Sequence, residues 1–187
     1  MKKKFGKYSD RKLARIISSD KSSVNGAFTE LYNRYENNIF RYCRYMTGDS
    51  DAAEDIMQET FIKFYNSLKN GINEENIGGY LVTISRNMCL NHLRSKKVRT
   101  ALEINELTDH RYDKYEKDEL INLIETALEL LDVKYKEVFI LREMNGMSYN
   151  EIGEICGITP SGAQSRAMRA KEQVIKILKP YIQDLCK

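Results

Sequence analysis

Residues 148–170, SYNEIGEICGITPSGAQSRAMRA, constrain the fold more than any other stretch of the chain. Ser148 followed by Glu151 has the form of a capping box. In that motif the serine oxygen accepts a backbone N–H of the new helix and the glutamate reaches back to the cap. Tyr149, Ile152 and Ile155 then keep one face apolar at helical spacing. Gly157 ends the helix, since a residue without a Cβ enters the left-handed conformation cheaply. Thr159 and Pro160 restart the chain as N-cap and first helical residue, where proline has no N–H to waste. The result is a helix-turn-helix. Its second helix offers Ser161, Gln164, Ser165, Arg166, Arg169 and Lys171, while Ala163, Ala167, Val174 and Leu178 face inward. Small polar side chains backed by arginines suit a helix inserted into the DNA major groove. The competing reading is two helices of an ordinary bundle.

Upstream, helical periodicity continues. Residues 9–18 place Leu13, Ile16 and Ile17 on one side, and residues 25–45 repeat Phe28, Leu31, Tyr32, Tyr35, Ile39, Phe40 and Cys43 at three- and four-residue steps. Asp49 or Ser50 caps the next helix, residues 51–68. There Ala53, Ile56, Met57, Phe61, Phe64 and Leu68 form a core stripe. Glu54, Asp55, Gln58, Glu59 and Ile62 form a mixed acidic and apolar surface on the same helix. That surface is either a solvated acidic face helped by the helix dipole or the docking site of a basic, partly apolar partner.

Residues 70–79 are a polar, glycine-containing loop. Residues 80–94 form a helix with Tyr80, Leu81, Ile84, Met88 and Leu93 as core. Its other face carries Arg86, Asn87, Asn91 and Arg94 and runs into Lys96, Lys97 and Arg99. Cations that hold phosphates, amides that read base edges and a ring that stacks on an unpaired base together suit strand-separated DNA. A basic helix end favourable to the dipole is the plainer explanation. Residues 100–119 lose apolar periodicity, gain acids and read as a flexible linker. Helical spacing resumes at Leu120, Leu123, Ile124, Ala127, Leu128 and Leu131, then at Val138, Phe139, Leu141 and Met144. The expected fold is all-α: two small helical domains, 1–99 and 120–187, joined by a flexible linker at 100–119, the second bearing the helix-turn-helix.

Several function classes drop out. With 42% hydrophobic and 30% charged residues the chain reads as soluble and globular. No stretch approaches the ~20 apolar residues of a membrane span, and the lysine-rich start lacks a signal peptide's apolar run, so a cytoplasmic location is expected. Cys43, Cys89, Cys156 and Cys186 are scattered without metal-ligand spacing, which fits a reducing compartment. Asp51, Asp55 and Glu59 could ligate a metal in a nuclease, but no histidine, second carboxylate helix or phosphate loop joins them. No catalytic residue, cofactor or metal is therefore expected.

Taken together, these residues resemble a bacterial extracytoplasmic-function sigma factor, the two-domain group of the sigma-70 family. The resemblance covers roughly residues 27–99 and 120–178. By that resemblance DAAEDIMQETFIKFY meets the clamp of the polymerase's largest subunit through Glu54, Asp55, Gln58, Glu59, Phe61 and Ile62. YLVTISRNMCLNHLR resembles the helix that opens the −10 element. The loop before it, with Asn73, would capture a flipped base, and Tyr80, Arg86, Asn87, Asn91, Arg94, Lys96 and Lys97 would approach DNA. The C-terminal unit resembles the −35-reading domain, with a further contact to the polymerase flap. The family commonly has a threonine, a β-branched residue and a lysine where this chain has Gly162, Ala163 and Gln164, a departure that removes side-chain contacts near the front of the helix and leaves its −35 preference open. The resemblance also implies an anti-sigma factor as partner and no membrane insertion. A stand-alone helix-turn-helix regulator on duplex operator DNA is the alternative, and it leaves the basic helix at 80–99 without a purpose.

Overall fold

The computed structural model describes residues 5–19, 22–72, 75–102 and 119–185. Every regular element among them is helical. The chain separates into two compact units, Met1–Leu90 and Asn91–Lys187.

The first unit is built on α1 (Asp10–Ser18), α2 (Val24–Thr47), α3 (Ser50–Lys69) and the start of α4 (Ile77–Leu102). The Asp49 carboxylate caps α3 by accepting the Asp51 and Ala52 amides, which satisfies donors that have no intrahelical partner. The whole expected α3 stripe is buried, with Thr60 added to it. α2, which buries Ala27, Leu31, Ile39, Tyr42, Cys43 and Met46, packs against both α3 and α1. Phe28 and Tyr32 bracket Phe61, at ring-centroid distances of 6.4 and 4.6 Å. Burying side chains of this size contributes roughly 1.5–3 kcal/mol each. Asp10 then ties α1 to α2: Arg34 donates to its carboxylate at 2.6 Å and to Glu30 at 2.9 Å, and the Tyr35 hydroxyl donates to Asp10 as well.

In the second unit α5 (Glu119–Glu129), α6 (Val133–Phe139), a π-helical turn (Ile140–Met144) and α7 (Tyr149–Cys156) precede the long α8 (Pro160–Leu185). α8 packs against α5, α6 and α7. The π turn widens the chain, with the Asn145 amide reaching Ile140 and the Met147 amide reaching Leu141. Arg142 then joins the turn to α7, donating to the Met147 carbonyl at 2.8 Å and lying over the Tyr149 ring.

Three sequence expectations change here. The core of α4 is Ile77, Leu81, Val82, Ser85 and Cys89, whereas Tyr80, Ile84, Met88 and Leu93 are only half-buried. Ser85 can sit inside because its hydroxyl donates to the Val82 carbonyl at 3.0 Å. The π turn rotates the register after Phe139, so Ile140 and Leu141 are buried while Phe139 and Met144 are half-buried. Finally, α4 runs unbroken through Thr100, Ala101 and Leu102, into the stretch expected to be linker. Loss of apolar periodicity removes the reason for a helix to pack, not the reason for it to form.

Candidate nucleic-acid interface

The helix-turn-helix is assembled as its residues dictate. Ser148 and Glu151 form both bonds of the capping box, and Gly157 takes φ 67° at the end of α7. The Thr159 hydroxyl accepts the Gly162 amide at 3.1 Å, opening α8 directly behind the turn. Gly153 contributes something the sequence reading missed. A Cβ there would stand 2.8 Å from the Ile158 carbonyl oxygen, and the Ile158 amide donates to Gly153 at 2.9 Å. The turn closes this tightly only because α7 presents bare backbone to it. A glycine in mid-helix was the available signal.

α8 buries Ala163, Ala167, Val174 and Leu178 as expected, and Ala170 with them. Ser161, Gln164, Ser165, Arg169 and Lys171 are exposed and Arg166 is half-buried. The outward face therefore holds small polar groups first and cations behind. Such a surface can hydrogen-bond base edges and pair with phosphates.

On α4, Asn87, Asn91, Arg94 and Lys97 are exposed, with Arg86 and Lys96 half-buried. Asn87, Asn91 and Arg94 fall at four- and three-residue steps and so share one side of the helix. Tyr80, expected to stack on a base, is half-buried: its hydroxyl donates to Ser67 at 3.1 Å and its ring tilts on Phe64 at 6.3 Å. Asn73 lies outside the described residues. Glu75, in the same loop, is held by Arg11 of α1 at 3.3 Å.

On α3, Glu54, Asp55, Gln58, Glu59 and Ile62 are all exposed. Phe61 corrects the expectation. At 2% exposure it lies between Phe28 and Tyr32 and supports the surface from beneath rather than lining it. Asp55, Ile56, Gln58, Glu59 and Ile62 line an open groove of about 430 Å³ together with Met88 of α4. An acidic rim over an apolar floor accepts a basic side chain and its aliphatic stem together. Burial foremost, then the nearby charges of Glu36 and Glu54, pushes the Tyr32 hydroxyl above its usual range. Among the described residues no group of three His, Cys, Asp or Glu side chains is placed to hold a metal ion. No described helix is long and apolar enough to cross a membrane.

Fold and surfaces thus define a helical DNA-binding protein whose helix-turn-helix is coupled to a second, partner-binding body. Residues 31–99 match the family description "Sigma-70 region 2" and residues 121–174 match "Sigma-70, region 4". The chain is 32% identical over 154 residues to the RNA polymerase sigma factor YlaC of Bacillus subtilis, spanning 79% of this chain and 89% of that one. It is 27% identical over 181 residues to the ECF RNA polymerase sigma factor SigW of the same organism, spanning 89% and 97%. The sigma factor RpoE in complex with the anti-sigma factor NepR from Bartonella quintana shares the fold, with a TM-score of 0.64 at 22% identity, over 80% of this chain and 97% of that one. The chain belongs to the sigma-70 family of RNA polymerase sigma factors, in its extracytoplasmic-function group. It is a transcription initiation factor that directs RNA polymerase to promoters.

Proposed function

We propose that the work is divided among three surfaces. The groove on α3, lined by Asp55, Gln58, Glu59 and Ile62 with the exposed Glu54 on the same helix, seats on the clamp of the core polymerase. The α4 side carrying Asn87, Asn91, Arg94 and Lys97 holds the separated −10 strand, and residues 70–79 receive a flipped base, whose unstacking costs a few kcal/mol. The outward face of α8 reads the −35 element as duplex, while its unit touches the polymerase flap. Two small DNA-reading modules become effective because polymerase turns the second contact into an intramolecular one. In this reading the functional domains span 1–99 and 120–187, and α4 carries the first as far as Leu102 into the stretch that joins them.

The observation that carries this reading is the α3 groove, in which an acidic rim and an exposed Ile62 come together with Met88 of α4. A stand-alone operator-binding regulator has no use for it. The chain supplies no nucleotide chemistry of its own and is not an enzyme, and it works in the cytoplasm beside the polymerase. An anti-sigma factor restrains it, in line with the partner of the structurally similar RpoE. The test is run-off transcription with purified core polymerase and a selected promoter pool. Promoter-specific transcripts that require this chain support the reading, and duplex binding without polymerase dependence overturns it.

A further inference from the structure

We propose that Met168 reads a thymine methyl group in the upstream promoter element and thereby sets part of this chain's sequence preference. The inference rests on the assignment of α8 as the duplex-reading helix. Met168 is 57% exposed, although its neighbours Ala167 and Ala170 are buried. Ser161, Gln164 and Ser165 are exposed at three- and four-residue steps before it, so all four side chains share the outward face. From residue 161 to 168 a helix rises about 10 Å at ~1.5 Å per residue, close to three base-pair steps of ~3.4 Å.

Within that span the front of the helix is sparse. Gly162 has no side chain and Ala163 is fully buried, which leaves two serines, a glutamine, the half-buried Arg166 and the methionine to distinguish bases. Met168 cannot hydrogen-bond a base edge to any useful degree. The apolar feature that the major groove offers is the thymine C5-methyl, and contact with it is a direct form of readout. An unbranched thioether adapts to that target without strain. Isolated exposed hydrophobes are ordinary on protein surfaces, and Ile175, 56% exposed, is one. Ile175 lies beyond the exposed Glu172 carboxylate, which repels phosphates and ends the reading face. Met168 lies before it, flanked by Ser165 and Arg169.

The test uses polymerase holoenzyme assembled with the full chain. Promoters are selected from a randomised duplex pool, and each thymine of the upstream element is replaced in turn by deoxyuridine, which lacks only the methyl. Binding is measured for the wild type, Met168→Ala and Met168→Leu. At one position deoxyuridine weakens the wild type and Met168→Leu about fourfold, equivalent to ~0.8 kcal/mol for a methyl-sized contact. Met168→Ala binds the thymine promoter about fourfold more weakly and is indifferent to the replacement. A flat deoxyuridine scan in the wild type, or a penalty that persists in Met168→Ala, overturns the proposal while leaving α8 as the reading helix. Failure to select any promoter removes that assignment and the proposal with it. Circular dichroism confirms that the exposed-site variants keep the fold.

Discussion

Replacing Gly153 by alanine sets two effects of opposite sign against each other in α7. Helix propensity alone favours the change by ~0.8–1 kcal/mol, since glycine is the costlier residue in a helix interior. The new Cβ, however, would stand 2.8 Å from the Ile158 carbonyl oxygen. That neighbour is backbone and cannot rotate away. Relief requires α7 and the turn to separate, which strains the Ile158-to-Gly153 hydrogen bond of 2.9 Å. Overpacking of this kind costs ~1–3 kcal/mol and a weakened hydrogen bond about 1 kcal/mol more. The steric cost wins, and the net loss is about 1–3 kcal/mol. Ile158 leads straight into Thr159 and Pro160, so the strain also shifts the start of α8. Segment-resolved amide hydrogen exchange on the full chain should show α7 and the start of α8 opening roughly 5–150-fold more often. Promoter binding through the upstream element should fall, while capture by core polymerase through α3 is retained. Increased protection of α7 in Gly153→Ala would show that propensity governs and that the close approach carries no strain.

Asp55→Lys combined with Gln58→Ala should abolish capture by core polymerase with the circular dichroism spectrum unchanged, and retained capture would remove the α3 groove as the docking surface. Arg169→Ala should weaken promoter binding by ~1–3 kcal/mol if the guanidinium reads a base edge, and an unchanged footprint would reject that role. Tyr35 gives a pH signature. Burial first, then its hydrogen bond to Asp10 and the Asp10 charge, raises its hydroxyl well above the ordinary value of 10.0. The stability this contributes is intact below pH 10 and is lost as the pH rises through the raised value. Tyr35→Phe should therefore flatten the alkaline decline of the denaturant midpoint, and parallel declines in both proteins would refute the coupling.

What the sequence disclosed depended on whether a helix kept its period and one buried side. In α3 every apolar core residue was legible, because the stripe from Ala53 to Leu68 never leaves one face, and the buried Thr60 alone was missed. In α2 Tyr42 escaped notice, although it is fully buried with Ile39, Cys43 and Met46, while Tyr32 and Tyr35, which were counted in the stripe, are half-buried. Past Phe139 the period itself changes, and no count of apolar residues at 3.6 spacing could foresee the π turn. The outward residues of α8 were readable because its buried face is mostly alanine, which leaves the polar side unambiguous. Phe61 was assigned to two places at once, and only its neighbours Phe28 and Tyr32 decide for the interior. The groove that Met88 completes joins residues nearly thirty positions apart, beyond the reach of any local pattern.

The π-helical turn at Ile140–Met144 amounts to one residue more than an α-helix would hold. Deleting a single residue there would let the chain wind on as ordinary helix, turning everything downstream by about 100°. Arg142 could then no longer clasp both the Met147 carbonyl and the Tyr149 ring. The amino acids of the recognition surface would all survive, yet they would be aimed elsewhere. Chain length at this bend thus fixes where the outward face of α8 is aimed, independently of the side chains that α8 carries.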